Sequence, residues 1–231
     1  MSAFTGEPTS SLDGAVDEQP VEVPVHHGKL GALLFLPAVC DAGVVFAHPS
    51  GIARLSRRER FVASALARAG FATLLVDLLT EDEDAVRKGA HEDLELLTER
   101  LLTAAFWLSA SRRVPLGYLG VGTAAAAALV ATAIEPGRAR AVVSRGSRAG
   151  FADASLLTSP VPALFIVPAG PAGELAATSL LAPRRRLEIV PATTADFAEG
   201  DALDRVTALS TAWFTQWLDP RDVGVIDCSP A

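Results

Sequence analysis

VVFAHPSGIARLSRRERFVASALARAGFATLLVD, residues 44–77, reads as strand, loop, helix and strand in that order. Gly43–Ala47 is a short, unbroken apolar run, the pattern of a strand buried on both faces. It stops at His48-Pro49-Ser50-Gly51, where Pro and Gly mark a loop. Ser56–Ala69 then carries helical spacing. Phe61 and Leu66 fall on one face, with Arg57, Arg58 and Arg60 on another, and Gly70 supplies a C-cap. Ala72–Asp77 again reads as a buried strand. Two such strands joined by a helix form a right-handed crossover, so this stretch commits the chain to a parallel α/β sheet.

Working outward, the alternation continues on both sides. Val21–His26 and Lys29–Leu36 read as antiparallel strands turning through His27-Gly28. Beyond Asp77, Ala85–Ser109 reads as one long amphipathic helix with Leu94, Leu97, Leu101 and Ala105 inward. Strands follow at Pro115–Leu119, Ala141–Ser144, Pro162–Val167 and Leu187–Val190. Helices are expected at Thr123–Ile134, Ala172–Leu181 and Ala202–Leu218. The expected architecture is a mostly parallel, twisted sheet of about eight strands with helices on both faces. The sequence divides into an unordered segment over 1–20, one domain over 21–218 and a tail over 219–231.

The 231 residues suit one domain, and half of them are hydrophobic, enough for a substantial core. A net charge of −7 argues against nucleic acid and anionic membrane as partners. Arg184-Arg185-Arg186 is the only dense basic cluster and reads as a solvated strand entry. Cys40 and Cys228 lie far apart, without metal-ligand spacing, and a reduced, cytoplasmic protein is expected. His26 and His27 would point to opposite faces of a strand, so no metal site is expected. The first twenty residues lack the basic-then-apolar order of a secretory signal. The Ala-rich run from Thr123 to Ile134 is too short to span a membrane.

In a sheet of this kind, sites form beyond the carboxyl ends of the strands. Four loops therefore matter. They carry His48 with Ser50, Asp77 with the acidic run Glu81–Asp84, Gly120-Val121-Gly122-Thr123, and Ser144-Arg145-Gly146. The acidic run reads first as a helix start, where negative charge suits the dipole.

These stretches, with PLGYLGVGTAAAAALVATA (115–133), ARAVVSRGSR (139–148), PALFIV (162–167) and RLEIVPA (186–192), resemble the dienelactone-hydrolase-like branch of the α/β-hydrolases in order and spacing. The resemblance covers nearly all of Val21 to Leu218. It implies the α/β-hydrolase fold and, usually, a Ser-Asp-His hydrolase of esters or lactones. The nucleophile elbow of such enzymes is Gly-x-Ser-x-Gly, and here it reads Gly120-Val121-Gly122-Thr123-Ala124, with glycine at the serine position. The resemblance places the acid near Pro171, in a loop with no carboxylate before Glu174. It places the histidine near Ala195. No histidine follows His91 anywhere in the chain, so the degenerate triad positions are Gly122, Pro171 and Ala195.

What the elbow retains is a helix start. The N–H groups of Thr123 and Ala124 open that helix and suit an oxyanion, enolate or carboxylate. Ser50, Gly122, Thr123, Ala124 and Arg145 are the expected ligand-binding residues. His48, Asp77 and Thr123 are the catalytic candidates, as base, orienter and displaced nucleophile. Each also has a plainer reading: ordered loop histidine, loop-capping carboxylate and first-turn threonine. Gly120-x-Gly122-x-x-Ala125 also fits a relaxed dinucleotide fingerprint, but such a motif belongs on a domain's first strand, and no cofactor is expected.

Three readings of function follow. The first is a non-hydrolytic cyclase, isomerase or lyase acting on a small organic molecule, with a bacterial biosynthetic pathway as its setting. The second is a non-catalytic relative that binds a small molecule or an active homologue. The third is a hydrolase with rearranged groups. The expected partners are a small molecule and a second copy of the chain.

Overall fold

The structure, a computed structural model, describes residues 16–40, 42–111, 114–146, 161–169, 184–218 and 226–227. It opens with an antiparallel pair, β1 (Asp17–Val25) and β2 (Gly28–Leu36), in a register that sets Val25 opposite Gly28. β1 thus begins at Asp17, inside the segment expected to be unordered. The turn is His26-His27, one residue earlier than the sequence suggested. The two histidines stand side by side there, with ring nitrogens 3.0 Å apart, rather than on opposite faces of a strand.

β3 (Val39–Cys40) is a short strand, followed by β4 (Ala42–His48), helix α1 (Arg57–Arg68) and β5 (Phe71–Asp77). β4 and β5 pair in parallel, as the strand–helix–strand reading requires. The helical face in α1 differs from the expectation. Val62, Ala63, Leu66 and Ala67 are buried, as is Glu59, whereas Phe61 is exposed.

The long helix expected over Ala85–Ser109 is two helices, α2 (Glu81–Val86) and α3 (Leu94–Ser111). Local capping explains the split. The Thr80 hydroxyl accepts from the Glu83 N–H and the Glu83 carboxylate accepts from the Thr80 N–H, a capping box that starts a helix at the acidic run. Asp93 then accepts from the Leu96 N–H and starts the second helix. Arg100 of α3 holds the two together, gripping both Glu83 oxygens at 2.6 Å and the Leu78 carbonyl at 2.8 Å. That grip holds the Glu83 carboxyl down at about 2.

β6 (Leu116–Val121), α4 (Thr123–Ile134), β7 (Ala139–Arg145), β8 (Ala163–Pro168), β9 (Arg185–Val190) and α5 (Ala202–Trp217) complete the described elements of the main sheet and its helices. The strand order is β1-β2-β5-β4-β6-β7-β8-β9, parallel from β5 to β9. The eight-stranded sheet expected from the alternation is therefore present. One face packs against α3 and α4, the other against α1 and α5. The alanine run of α4 has a packing reason: Ala124 to Ala128 and Ala131 are buried, and side chains this small let the helix lie close on the sheet. The expected helix at Ala172–Leu181 lies outside the described residues.

β10 (Ile226–Asp227) pairs antiparallel with β3. Cys40 is fully buried and disulfide-bonded, which corrects the expectation of reduced thiols. The sequence has one other cysteine, Cys228, outside the described residues. Among the described residues no helix is long and apolar enough to cross a membrane.

Candidate functional site

The carboxyl ends of β4, β6 and β7 deliver His48, Gly122 and Arg145 to one edge of the sheet. A cleft of about 760 Å³ opens there, lined among others by His48, Ser50, Glu59, Gly122, Thr123 and Arg145. Five of these six were expected at the site from sequence; Glu59 was not.

Gly122 joins β6 to α4 in a sharp turn, φ 56° and ψ −122°, which L side chains rarely adopt. Its N–H donates to the Arg145 carbonyl at 3.0 Å, tying the turn to the next strand. A Cβ at Gly122 would meet nothing within 4 Å. The turn thus has the shape that presents a nucleophile above a sheet, and room for one, but holds a glycine. Thr123 is almost buried at the head of α4, where helix donors lack intrahelical partners.

Arg145 is 1 % exposed, and its Nη2 donates to both oxygens of Glu59, also buried, at 2.6 Å. Its Cζ sits over the Phe46 ring, 5.5 Å from the centroid. Arg145 is therefore a buried residue of the cleft wall and not a surface residue. Glu59 went unnoticed in the sequence because it stands in Arg57-Arg58-Glu59-Arg60, a run that reads as one basic face. The single acid within it was the available signal.

His48 is half-buried at the cleft, and its buried Nδ1 finds no hydrogen-bond partner among the described residues. Burial pushes its pKa down to about 4; Glu59 and Asp84 oppose this and Arg145 assists. The ring is therefore neutral near pH 7.

Asp77 is not brought to the cleft. It stands in register with His48 on the adjoining strand, fully buried, but its carboxylate is engaged by Arg54, through the backbone N–H at 3.1 Å and Nη1 at 2.7 Å. Burial pushes this carboxyl up to about 6 against the pull of Arg54. Arg54 also reaches the Gly51 carbonyl and Glu81, each at 2.6 Å. Asp77 thus orders the loop over the cleft instead of orienting His48. Ser50 both lines the cleft and organises its loop, donating to Asp84 at 3.2 Å and accepting from the Ile52 N–H. Asp84, from the acidic run, also accepts from the Gly51 N–H.

Ala195 borders the cleft beside Gly146. A Cβ on Gly146, itself at φ 62°, would lie 2.7 Å from the Ala195 carbonyl oxygen. Ala195, where the resemblance leads us to expect a histidine, therefore lies at the cleft. Pro171 lies outside the described residues.

Comparison with known proteins agrees with this geometry. The structure of a dienelactone hydrolase from Anabaena variabilis superposes with a TM-score of 0.81 at 38 % identity, covering 88 % of this chain and 99 % of that one. The esterase domain of a Rhodothermus marinus protein superposes at 0.69 with 18 % identity, a likeness of fold. Proteins from two strains of Mycobacterium tuberculosis, each named "Putative phosphoribosyl transferase", are 37 % identical over 223 residues. The match covers 94 % of this chain, and the chain spans about half the length of those relatives. No family model matches the sequence.

Proposed function

Because the chain belongs to the dienelactone hydrolase family, we propose that it is a triad-less member whose cleft works on a small organic molecule without an acyl-enzyme. The observation that carries the reading is Gly122: the turn that would raise a nucleophile is built and open, but the residue in it has no side chain. Two further observations support it. Ala195 stands where the resemblance expects a histidine, and the sequence has no histidine after His91. A base delivered by the final loop is not available to activate a displaced hydroxyl such as that of Thr123.

The remaining chemistry is orientation with acid–base help. His48 exchanges a proton with a substrate carbon or hydroxyl, as base in its neutral form and as acid once it is protonated. The first-turn N–H groups of Thr123 and Ala124 stabilise the charge that develops on the oxygen. Such a pair suits cyclisation, isomerisation or elimination.

The test combines two measurements on the wild-type chain. Neither turnover of p-nitrophenyl acetate nor labelling by a fluorophosphonate probe is expected, whereas exchange of an acidic C–H into D2O is expected for enolisable ligands and is lost in His48→Gln. Ester turnover that disappears in Thr123→Ala overturns the reading.

The second reading is a non-catalytic relative that binds a small molecule or an active homologue, and the glycine in place of a nucleophile at Gly122 is consistent with it as well. The phosphoribosyl-transferase name would then belong to the longer relatives as wholes. On this reading the isolated chain shows no proton exchange and no phosphoribosyl transfer.

A further inference from the structure

We propose that Arg145 anchors an oxyanion of the ligand, a carboxylate or a phosphate, and that His48 takes up a proton as the anion seats. The inference rests on the reading that this cleft binds a small molecule, and names the chemical class of that molecule.

The first observation is a set of donors left without acceptors. A guanidinium carries five N–H donors and stays charged at any pH a protein survives. Arg145 meets Glu59 through Nη2 alone. Its Nε and Nη1 are buried and find no partner among the described residues, although the residue lines an open cleft. An arginine buried for structure alone ordinarily satisfies its donors, because each unmet one is costly. These are held in place by the Glu59 carboxylate and the Phe46 ring before any ligand arrives. The first turn of α4, with Thr123 at the cleft wall, adds donors of the same sense.

The second observation is a matter of charge. Glu59 already balances Arg145, so an incoming anion brings one uncompensated negative charge into buried surroundings. His48 lines the same cleft, and its Nδ1 is buried and unpartnered among the described residues. Glu59 of α1, Arg145 of β7 and Asp84 of α2 act on it electrostatically. Asp77 of β5 is in register with it but is tied to Arg54. Farther out in the cleft, Arg58 and Asp196 pair with each other at 2.9 Å, and His91 and Glu92 form part of the wall. Without ligand, burial outweighs the acidic neighbours and the ring is neutral. One more negative charge reverses that balance, and the anion and proton enter together. Affinity then rises as pH falls, by up to about tenfold per unit between the complex's His48 pKa and the free chain's value of about 4.

The test is titration calorimetry of the full chain with benzoate, phenyl phosphate and neutral benzamide, between about pH 5.5 and 8. Running it in buffers of different ionisation heat counts protons. One anion is expected to bind at least tenfold more tightly than benzamide, with net proton uptake. The preferred anion identifies the group as carboxylate or phosphate. The double variant Glu59→Gln/Arg145→Gln, which leaves no buried charge unpaired, is expected to lose at least tenfold in anion affinity. His48→Gln is expected to bind without proton uptake.

Four results overturn the proposal: binding of neither anion at about 10 mM, where even a weak site fills; benzamide binding as tightly as the anions; full anion affinity in a double variant whose circular dichroism shows it folded; or proton uptake that persists in His48→Gln. Ester turnover through an acyl-enzyme would instead overturn the non-covalent reading and leave the anion measurement standing.

Discussion

Glu59 and Arg145 stand 86 positions apart in the chain and meet at 2.6 Å beneath the cleft, joining α1 to the end of β7. The pair is buried on both sides, so removing one member strands the other charge away from water. Glu59→Gln is expected to cost about 3–5 kcal/mol, roughly 10 °C in Tm for a domain of this size. Replacing both, as Glu59→Leu/Arg145→Met, is expected to cost less than the single change. Urea denaturation of the three proteins checks the order, and a double variant less stable than the single would contradict it.

His48 and Asp77, neighbours on adjacent strands, should give the protein opposite responses to acid. The folded pKa of His48 lies near 4, below its ordinary 6.5. As pH falls through that window the unfolded chain gains a proton the folded chain refuses, and stability drops. The folded pKa of Asp77 is near 6, above its ordinary 3.8, so the folded chain gains the proton first and stability rises as pH falls from 6. Relative to wild type, His48→Gln should therefore gain stability between pH 6.5 and 4, and Asp77→Asn should lose it between pH 6 and 3.8. Denaturation series at fixed pH read both signs.

Gly122→Ser restores a hydroxyl at the elbow. The new Cβ meets nothing within 4 Å, so the cost is backbone strain, about 1–3 kcal/mol. No ester hydrolysis is expected from this variant with p-nitrophenyl acetate, since it acquires a nucleophile but not the late histidine that the resemblance calls for, the sequence having none after His91. Robust turnover would show that another group in the cleft can activate serine.

Gly146→Ala should be worse tolerated than its size suggests. Its Cβ would fall 2.7 Å from the Ala195 carbonyl oxygen and 2.8 Å from the Ala195 Cβ, at a φ of 62°. The combined strain and overlap are expected to cost at least about 2 kcal/mol. The loop holding Ala195 must also move, which amide exchange over residues 193–196 would register.

A thiol titration in denaturant without reductant is expected to find no free cysteine, because Cys40 is disulfide-bonded. Reduction should lower stability by about 2–5 kcal/mol.

The sheet was legible because strands buried on both faces are largely apolar, as Gly43–Ala47 and Leu74–Val76 are, and they alternate with helices along the chain. The α2–α3 break was not, because capping by Thr80 and Asp93 interrupts a helix without interrupting its hydrophobic period. At the site, strand-end residues could be placed from topology alone, which located His48, Gly122 and Arg145. Side chains whose partners come from distant elements could not. Nothing in the sequence pairs Glu59 with Arg145, or turns Asp77 from His48 to Arg54.

The Gly122 turn also bears on how freely this protein can change. A serine in that conformation holds the backbone under tension, and an enzyme relying on it gives up part of its stability margin to catalysis. With glycine the turn is relaxed, and that margin is released to the rest of the chain. The cleft residues of this member can therefore absorb destabilising substitutions that a serine-bearing relative could not, which makes the scaffold a permissive starting point for acquiring new ligands.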